Sequence, residues 1–334
     1  MVAPGAAGAP QGRRMAAASD NQPMHPPTPQ PGPVPQPGHA ADPHATARAT
    51  PAASGTAASG TAAPGIPAPG SGQAGDAPAS TPPQLQVRDG VATLTLNRPA
   101  QRNRLENEDL ALLMAQLAEV EQDASVRVLV LQAETRGQTR PVFCAGYDIG
   151  GFREPDQGAG AFERVAERLA ALRAVTVCAL NGSVYGGATD LVLACDLRLA
   201  VPGIEWRMPA TALGLHYYPG GLQRYVNHFG LAGAKRAFLS ARPFTATQLQ
   251  AMGLFEAVVP PAELPAAVQA LIRDILALAP LALQHTKQSL NEIGAGQARL
   301  PDLREREARC AASLDFAEGR NAFAERRTPR FQGR

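Results

Sequence analysis

The chain has 334 residues, with 31 Lys and Arg against 29 Asp and Glu, for a formal charge of +2. Such a balance gives no overall pull toward nucleic acid, and no apolar run approaches the ~18 residues that would suggest a membrane span. The six histidines form no pair at ligand spacing and the four cysteines no C-x-x-C, so nothing points to a metal site.

Residues 1–84 are almost entirely Ala, Pro, Gly, Ser, Thr and Gln. Such a segment cannot bury enough apolar surface to offset its conformational entropy, and it is expected to be disordered. The near-repeat SGTAASGTAAPG, Ser54 to Gly65, reads as low complexity. Met1 to Asp20 holds no apolar stretch of the secretory kind, so a cytoplasmic protein is expected. Cys144, Cys178, Cys195 and Cys310 then read as free thiols in a reducing compartment.

From Leu85 onward the chain looks globular. LQVRDGVATLTLNRP predicts a hairpin around Asp89-Gly90, a type I′ turn signal. ENEDLALLMAQLAEVEQD places Leu110, Leu113, Met114, Leu117 and Val120 on one helical face, with Asn107 as the N-cap. VRVLVLQA, Val126 to Ala133, reads as a strand buried on both faces. PVFCAG is a short strand ending in Gly146, FERVAERLAALRAV a helix, TVCALNG a strand, GATDLVLACD a helix and LRLAV a strand. Strands alternating with helices imply a mostly parallel α/β core over 85–230. The patterns over 231–334 are helical.

NGSVYGGATDLVLACD sets Gly186-Gly187 at the mouth of a helix with Asp190 one turn inside. A helix start presents unpaired N–H groups with partial positive charge, and glycine lets a ligand come close to them. Such a corner suits either a phosphate or an oxyanion. No G-x-G-x-x-G, no G-x-x-x-x-G-K-[ST] and no nearby lysine supports the phosphate. An oxyanion hole needs a second donor, and FCAGYDI, Phe143 to Ile149, is a second strand-to-glycine corner that could supply it.

LNRPAQRNRL, FCAGYDI, NGSVYGGATDLVLACDLRLA, MPATALGLHYYPGG, AKRAFLSARPFTATQLQAMGLFEAVVP and PLALQHTKQSL follow one another in the order and spacing of the enoyl-CoA hydratase/isomerase (crotonase) superfamily, which the chain resembles from about Leu85 to Arg334. The resemblance implies a crotonase-like spiral of ββα units, a helical C-terminal trimerisation region and an acyl-CoA ligand, with no cofactor beyond the coenzyme A thioester and a homotrimer or hexamer as the assembly. It implies an oxyanion hole from the N–H groups of Ala145 and Gly187, flanked by Gly146 and Gly186. Family hydratases use two glutamates. At the first position stands Asp190, one methylene shorter and so about 1.5 Å shorter in reach, and at the second stands Ala210.

Ala210 does no acid–base work, so the hydratase mechanism carries over poorly. Tyr217 or Tyr218, in the loop where other branches of the superfamily place a functional residue, is the candidate to replace it, and His216 lies beside them. Cys144 is a weaker candidate nucleophile. The resemblance places Arg98, Arg102 and Lys287 at coenzyme A, with Asp148 at a family position near the same site. Hydratase, isomerase, decarboxylase and thioester hydrolase chemistry stay open, as does a catalytically weak acyl-CoA-binding role.

Overall fold

A computed structural model describes residues 80–148 and 155–334. The expectation of disorder over 1–84 lies almost wholly outside the described residues, and the chain from Thr81 on is tied in by the Thr81 N–H donating to the Asn97 carbonyl at 2.8 Å.

The hairpin is formed by β1 (Gln84–Arg88) and β2 (Val91–Leu96), antiparallel, with Asp89 and Gly90 at φ 51° and 77°. Both turn residues are left-handed, as a type I′ turn requires. Helix α1 (Asn107–Gln122) buries Leu110, Leu113, Leu117 and Val120. Its N-cap is Glu106 rather than Asn107, and the Glu106 N–H donates to the Asp109 carboxylate at 3.0 Å. Asn107 accepts a hydrogen bond from the Tyr147 hydroxyl instead, at 2.6 Å.

Strand β3 (Val128–Ala133) is buried at five of its six residues, and it lies between β2 and β5 (Val175–Leu180). With β7 (Leu197–Ala200) and β10 (Ala257–Val258) these strands complete a six-stranded sheet, parallel except at the hairpin. A second, four-stranded sheet runs β4 (Val142–Cys144), β6 (Ser183–Tyr185), β8 (Glu205–Arg207), β9 (Phe244–Thr245). Its strands have two or three residues, too few for alternation to show in sequence. The helices between the strands are α2 (Pro155–Ala170) and α3 (Gly187–Ala194).

The helical C-terminal region starts earlier than its composition suggests. Helix α4 (Pro219–Ser240) contains the expected boundary at 230/231 as a bend, where Gly230 takes φ 64° and ψ 169°. After α5 (Ala246–Ala251), α6 (Leu264–Leu276), α7 (Pro280–Gly294), α8 (Leu300–Ala311) and α9 (Leu314–Glu325) follow. No single helix among the described residues is long and apolar enough to cross a membrane.

The small sheet positions the site. β4 and β6 are adjacent and parallel, so the turns that leave their carboxyl ends emerge side by side. Ligands of open α/β sheets sit beyond the carboxyl ends of strands, and here those ends carry Gly146 and Gly186-Gly187.

Candidate active site

The two glycine corners meet. Gly146 has φ 94°, and a Cβ there would lie 2.8 Å from the Tyr185 carbonyl oxygen and 3.5 Å from the Gly187 nitrogen. Only glycine allows both the conformation and the approach. Gly187 opens α3 with Gly186 as its N-cap, so its N–H is among those with no acceptor within the helix. The Phe162 ring of α2 packs against the Gly187 Cα, within 2.9 Å of where a Cβ would sit.

Side chains brace the α3 start. The Thr189 hydroxyl donates to the Gly186 carbonyl at 2.6 Å. The Tyr225 hydroxyl donates to Thr189 Oγ1 at 2.6 Å, and the Trp206 indole N–H donates to Tyr225 at 3.2 Å. Trp206 and Tyr225 are fully buried. This chain of bonds fixes the direction of the Gly187 N–H.

Ala145 does not supply the facing donor. Its N–H donates to the Arg102 carbonyl at 2.9 Å. Two residues on, Leu105 and Tyr147 form a parallel bridge, in which the Leu105 N–H donates to Gly146 and the Leu105 carbonyl accepts from Asp148. In a parallel pairing the bridged residue's own N–H points away from that partner. The Tyr147 N–H is therefore turned away from Leu105, and the preceding Gly146 is the residue packed on Gly187. Counting along the motif lands on Ala145, whereas the ladder leaves the Tyr147 N–H on the side away from Leu105.

Asp190 is clamped from three sides. Its side chain has no exposed surface. Arg224 of α4 donates to it through Nε at 2.8 Å and Nη2 at 2.6 Å, and the Tyr218 hydroxyl adds a third bond at 2.6 Å. Tyr217 donates to the Tyr218 hydroxyl at 2.9 Å, and the two rings stack with centroids 4.1 Å apart. Burial, and after it the Asp190 charge, pushes both phenols well above the usual tyrosine range, so both stay protonated at neutral pH. Burial works against the Arg224 charge, but the bonds to Asp190 outweigh it and hold the guanidinium pKa above normal. Tyr217 is buried, and Tyr218 is the more open of the pair.

The cations expected at coenzyme A divide. Arg98 donates to the buried Asp109 through Nε at 3.2 Å and Nη2 at 3.0 Å. Lys287 is interior. Its Nζ meets Asp196 at 2.7 Å and the Ala174 carbonyl at 2.8 Å, so it fastens α7 to the large sheet rather than reaching for a phosphate. Arg102 is exposed, at φ 54°. Asp148 lies 3.5 Å from the Arg104 guanidinium. His216 is exposed in its loop, and Ala210 is buried. Cys144 is no nucleophile, because burial pushes its thiol up to about 12 and its S–H donates to the Asn103 carbonyl at 2.9 Å.

Two residues of this site escaped sequence reading. Tyr147 was passed over for Ala145. Arg224 carried a usable signal. It lies beside the α4 stripe Gly221, Tyr225 and Phe229, and an arginine on a buried stripe needs an acid.

The family model described as enoyl-CoA hydratase/isomerase matches residues 86–334. The chain is 35% identical over 250 residues to the 2,3-dehydroadipyl-CoA hydratase of Escherichia coli K12, a match covering 73% of this chain and 96% of that one. It is 33% identical over 265 residues to the bovine enoyl-CoA hydratase domain-containing protein 2, covering 73% and 85%. The crystal structure of an enoyl-CoA hydratase from Bacillus anthracis superposes with a TM-score of 0.68 at 26% identity, covering 76% of this chain and all of that one. The chain belongs to the enoyl-CoA hydratase/isomerase family, and it is an enzyme of that acyl-CoA class.

Arg224→Met leaves the Asp190 carboxylate buried without its partner, and should lower stability by about 3–5 kcal/mol. Adding Asp190→Asn to that variant should recover most of the loss. Urea melts of the parent, single and double variants check this. A single variant within ~0.5 kcal/mol of the parent, the range of ordinary surface changes, would show that the clamp does not hold the site.

Proposed function

We propose that this enzyme forms and stabilises a thioester enolate, with isomerase rather than hydratase character. The thioester oxygen sits between the N–H groups of Gly187 and Tyr147. The start of α3 adds its dipole to the charge that develops there. The coenzyme A thioester is the substrate, and the reaction needs no further cofactor. Of the three cations considered, exposed Arg102 is the one left to meet the coenzyme A phosphates, because Arg98 and Lys287 are engaged inside the protein.

One observation carries the choice of reaction. Hydration needs a group to activate water and another to manage the α-carbon proton. Asp190 is clamped by Arg224 and Tyr218, and Ala210 has no acid to offer. Moving a double bond along an acyl chain needs one base and the oxyanion hole. We also propose that the chain assembles as a homotrimer or a dimer of trimers. Leu290, Ile293, Phe316 and Phe323 line an open groove of about 990 Å³ on α7–α9, and Phe323 is 88% exposed. A second copy of the chain covers this face.

A panel of crotonyl-CoA, a 3-enoyl-CoA, methylmalonyl-CoA and a saturated acyl-CoA tests the reaction. The 3-enoyl-CoA should turn over well above crotonyl-CoA hydration. A crotonyl-CoA kcat near ~10³ s⁻¹, the upper end of ordinary enzymes, would contradict the reading. Tight binding with no turnover of any of the four would favour the acyl-CoA-binding role.

The assembly is tested separately. Sedimentation at micromolar concentration should give a trimer or its double, and a stable monomer would contradict that part.

A further inference from the structure

With Asp190 clamped and Ala210 inert, the site as described lacks a base. A carboxylate that the motif reading does not point to lies on α2, against the start of α4. Consecutive residues of α2 reach the starts of two helices. Phe162 packs on Gly187 at the start of α3, and the Glu163 carboxylate accepts the Gly220 N–H at the start of α4, at 3.3 Å. Gly220 is two residues after Tyr218, whose hydroxyl is on Asp190. Glu163 thus ties α2 to the start of α4, one position along α2 from the ring that packs on Gly187.

Its electrostatic setting is opposite to that of Asp190. Asp190 receives three short bonds, two of them from a guanidinium. Glu163 receives the single 3.3 Å bond from Gly220 and has no ion pair among the described residues. A carboxylate whose oxygens are taken up by donors has no acceptor position left for a ligand, whereas one with a single long bond keeps open lone pairs. The Arg224 Nη1, the nitrogen not bonded to Asp190, also approaches Gly220, at 3.6 Å from the position of a Cβ there. Glu163 is half-buried, shielded without being sealed. Glu167, one turn further along α2, approaches the same glycine at 3.1 Å but is exposed.

We infer that Glu163 is the base of this enzyme. Its carboxylate takes a proton from the carbon next to the thioester carbonyl. The C–H bond breaks, and its electron pair moves into the enolate whose oxygen the Gly187 N–H holds. Glu163, now a carboxylic acid, returns the proton to the same carbon or, in a 3-enoyl-CoA, to the γ-carbon, which leaves the double bond between the α- and β-carbons. No oxidant or further reactant enters. The inference rests on the enolate reading above.

Two measurements on one set of variants separate the inference from that reading. The first is incorporation of deuterium from D2O at the α-carbon of a saturated acyl-CoA, with 3-enoyl-CoA turnover alongside. The second is the dissociation constant of the same saturated acyl-CoA. Glu163→Gln keeps an oxygen for the Gly220 N–H, so it preserves the start of α4 while removing the base. Exchange and kcat should fall by on the order of 100-fold or more, the range for a lost general base, while the dissociation constant and Tm stay within twofold and a few degrees. Glu167→Gln should exchange like the parent. Parent-like exchange in Glu163→Gln would overturn the assignment and leave the enolate reading standing. Loss of exchange together with loss of binding or folding would overturn it too, since it would make Glu163 a structural cap. A parent that binds acyl-CoA and exchanges nothing would overturn the enolate reading and Glu163 with it.

Discussion

A carboxylate with no exposed surface must be met by a cation and by donors, or it does not remain charged inside a core. Asp190 is met by the fork of Arg224 and the hydroxyl of Tyr218. This pairing joins α3, α4 and the loop between β8 and α4 at one point. The site depends on it. Asp190 lies one turn after Gly187, so the ion pair anchors the helix that Gly187 opens. Tyr218 immediately precedes α4, and its bond to Asp190 sets where α4 starts and therefore where the Gly220 N–H meets Glu163.

Two further bonds act on the same corner from the other side. Thr189, itself held by the Tyr225 hydroxyl, bonds the Gly186 carbonyl, and the Gly146 turn lies against Gly187 with no room for a side chain. Preorganised donors are effective because they need no reorganisation when charge develops. The rigid part of the site is thus built from α3 and the two glycine turns. The proton-moving part comes from α2, which reaches Gly187 through Phe162 and the start of α4 through Glu163.

The hairpin, α1 and the buried strands β3 and β5 are legible in sequence because their periods or turn residues are strong. The small sheet is not, since strands of two or three residues carry no period, and that sheet is what brings Gly146 to Gly187. Gly187 itself could be read, because a Gly-Gly pair before an apolar run marks a helix start. The direction of the N–H groups after β4 could not, because it depends on the Ala145–Arg102 bond and the Leu105–Tyr147 pairing, long-range facts. Asp190 was visible as an acid, but its role is set by Arg224, 34 positions away. Lys287 was placed at coenzyme A by the family resemblance, and its partners in the fold are Asp196 and the Ala174 carbonyl. Charges in this chain are decided by tertiary pairing, and spacing alone does not show which are committed.

The central claim is that Asp190 holds the site together and does not handle substrate protons. A crystal structure with an unreactive acyl-CoA thioether or saturated acyl-CoA bound tests it most directly. The account predicts the ligand oxygen within about 3 Å of the Gly187 nitrogen, the usual hydrogen-bond range, with Asp190 still paired to both Arg224 nitrogens and to Tyr218. An Asp190 carboxylate released from Arg224 and turned to the α-carbon of the ligand would contradict it.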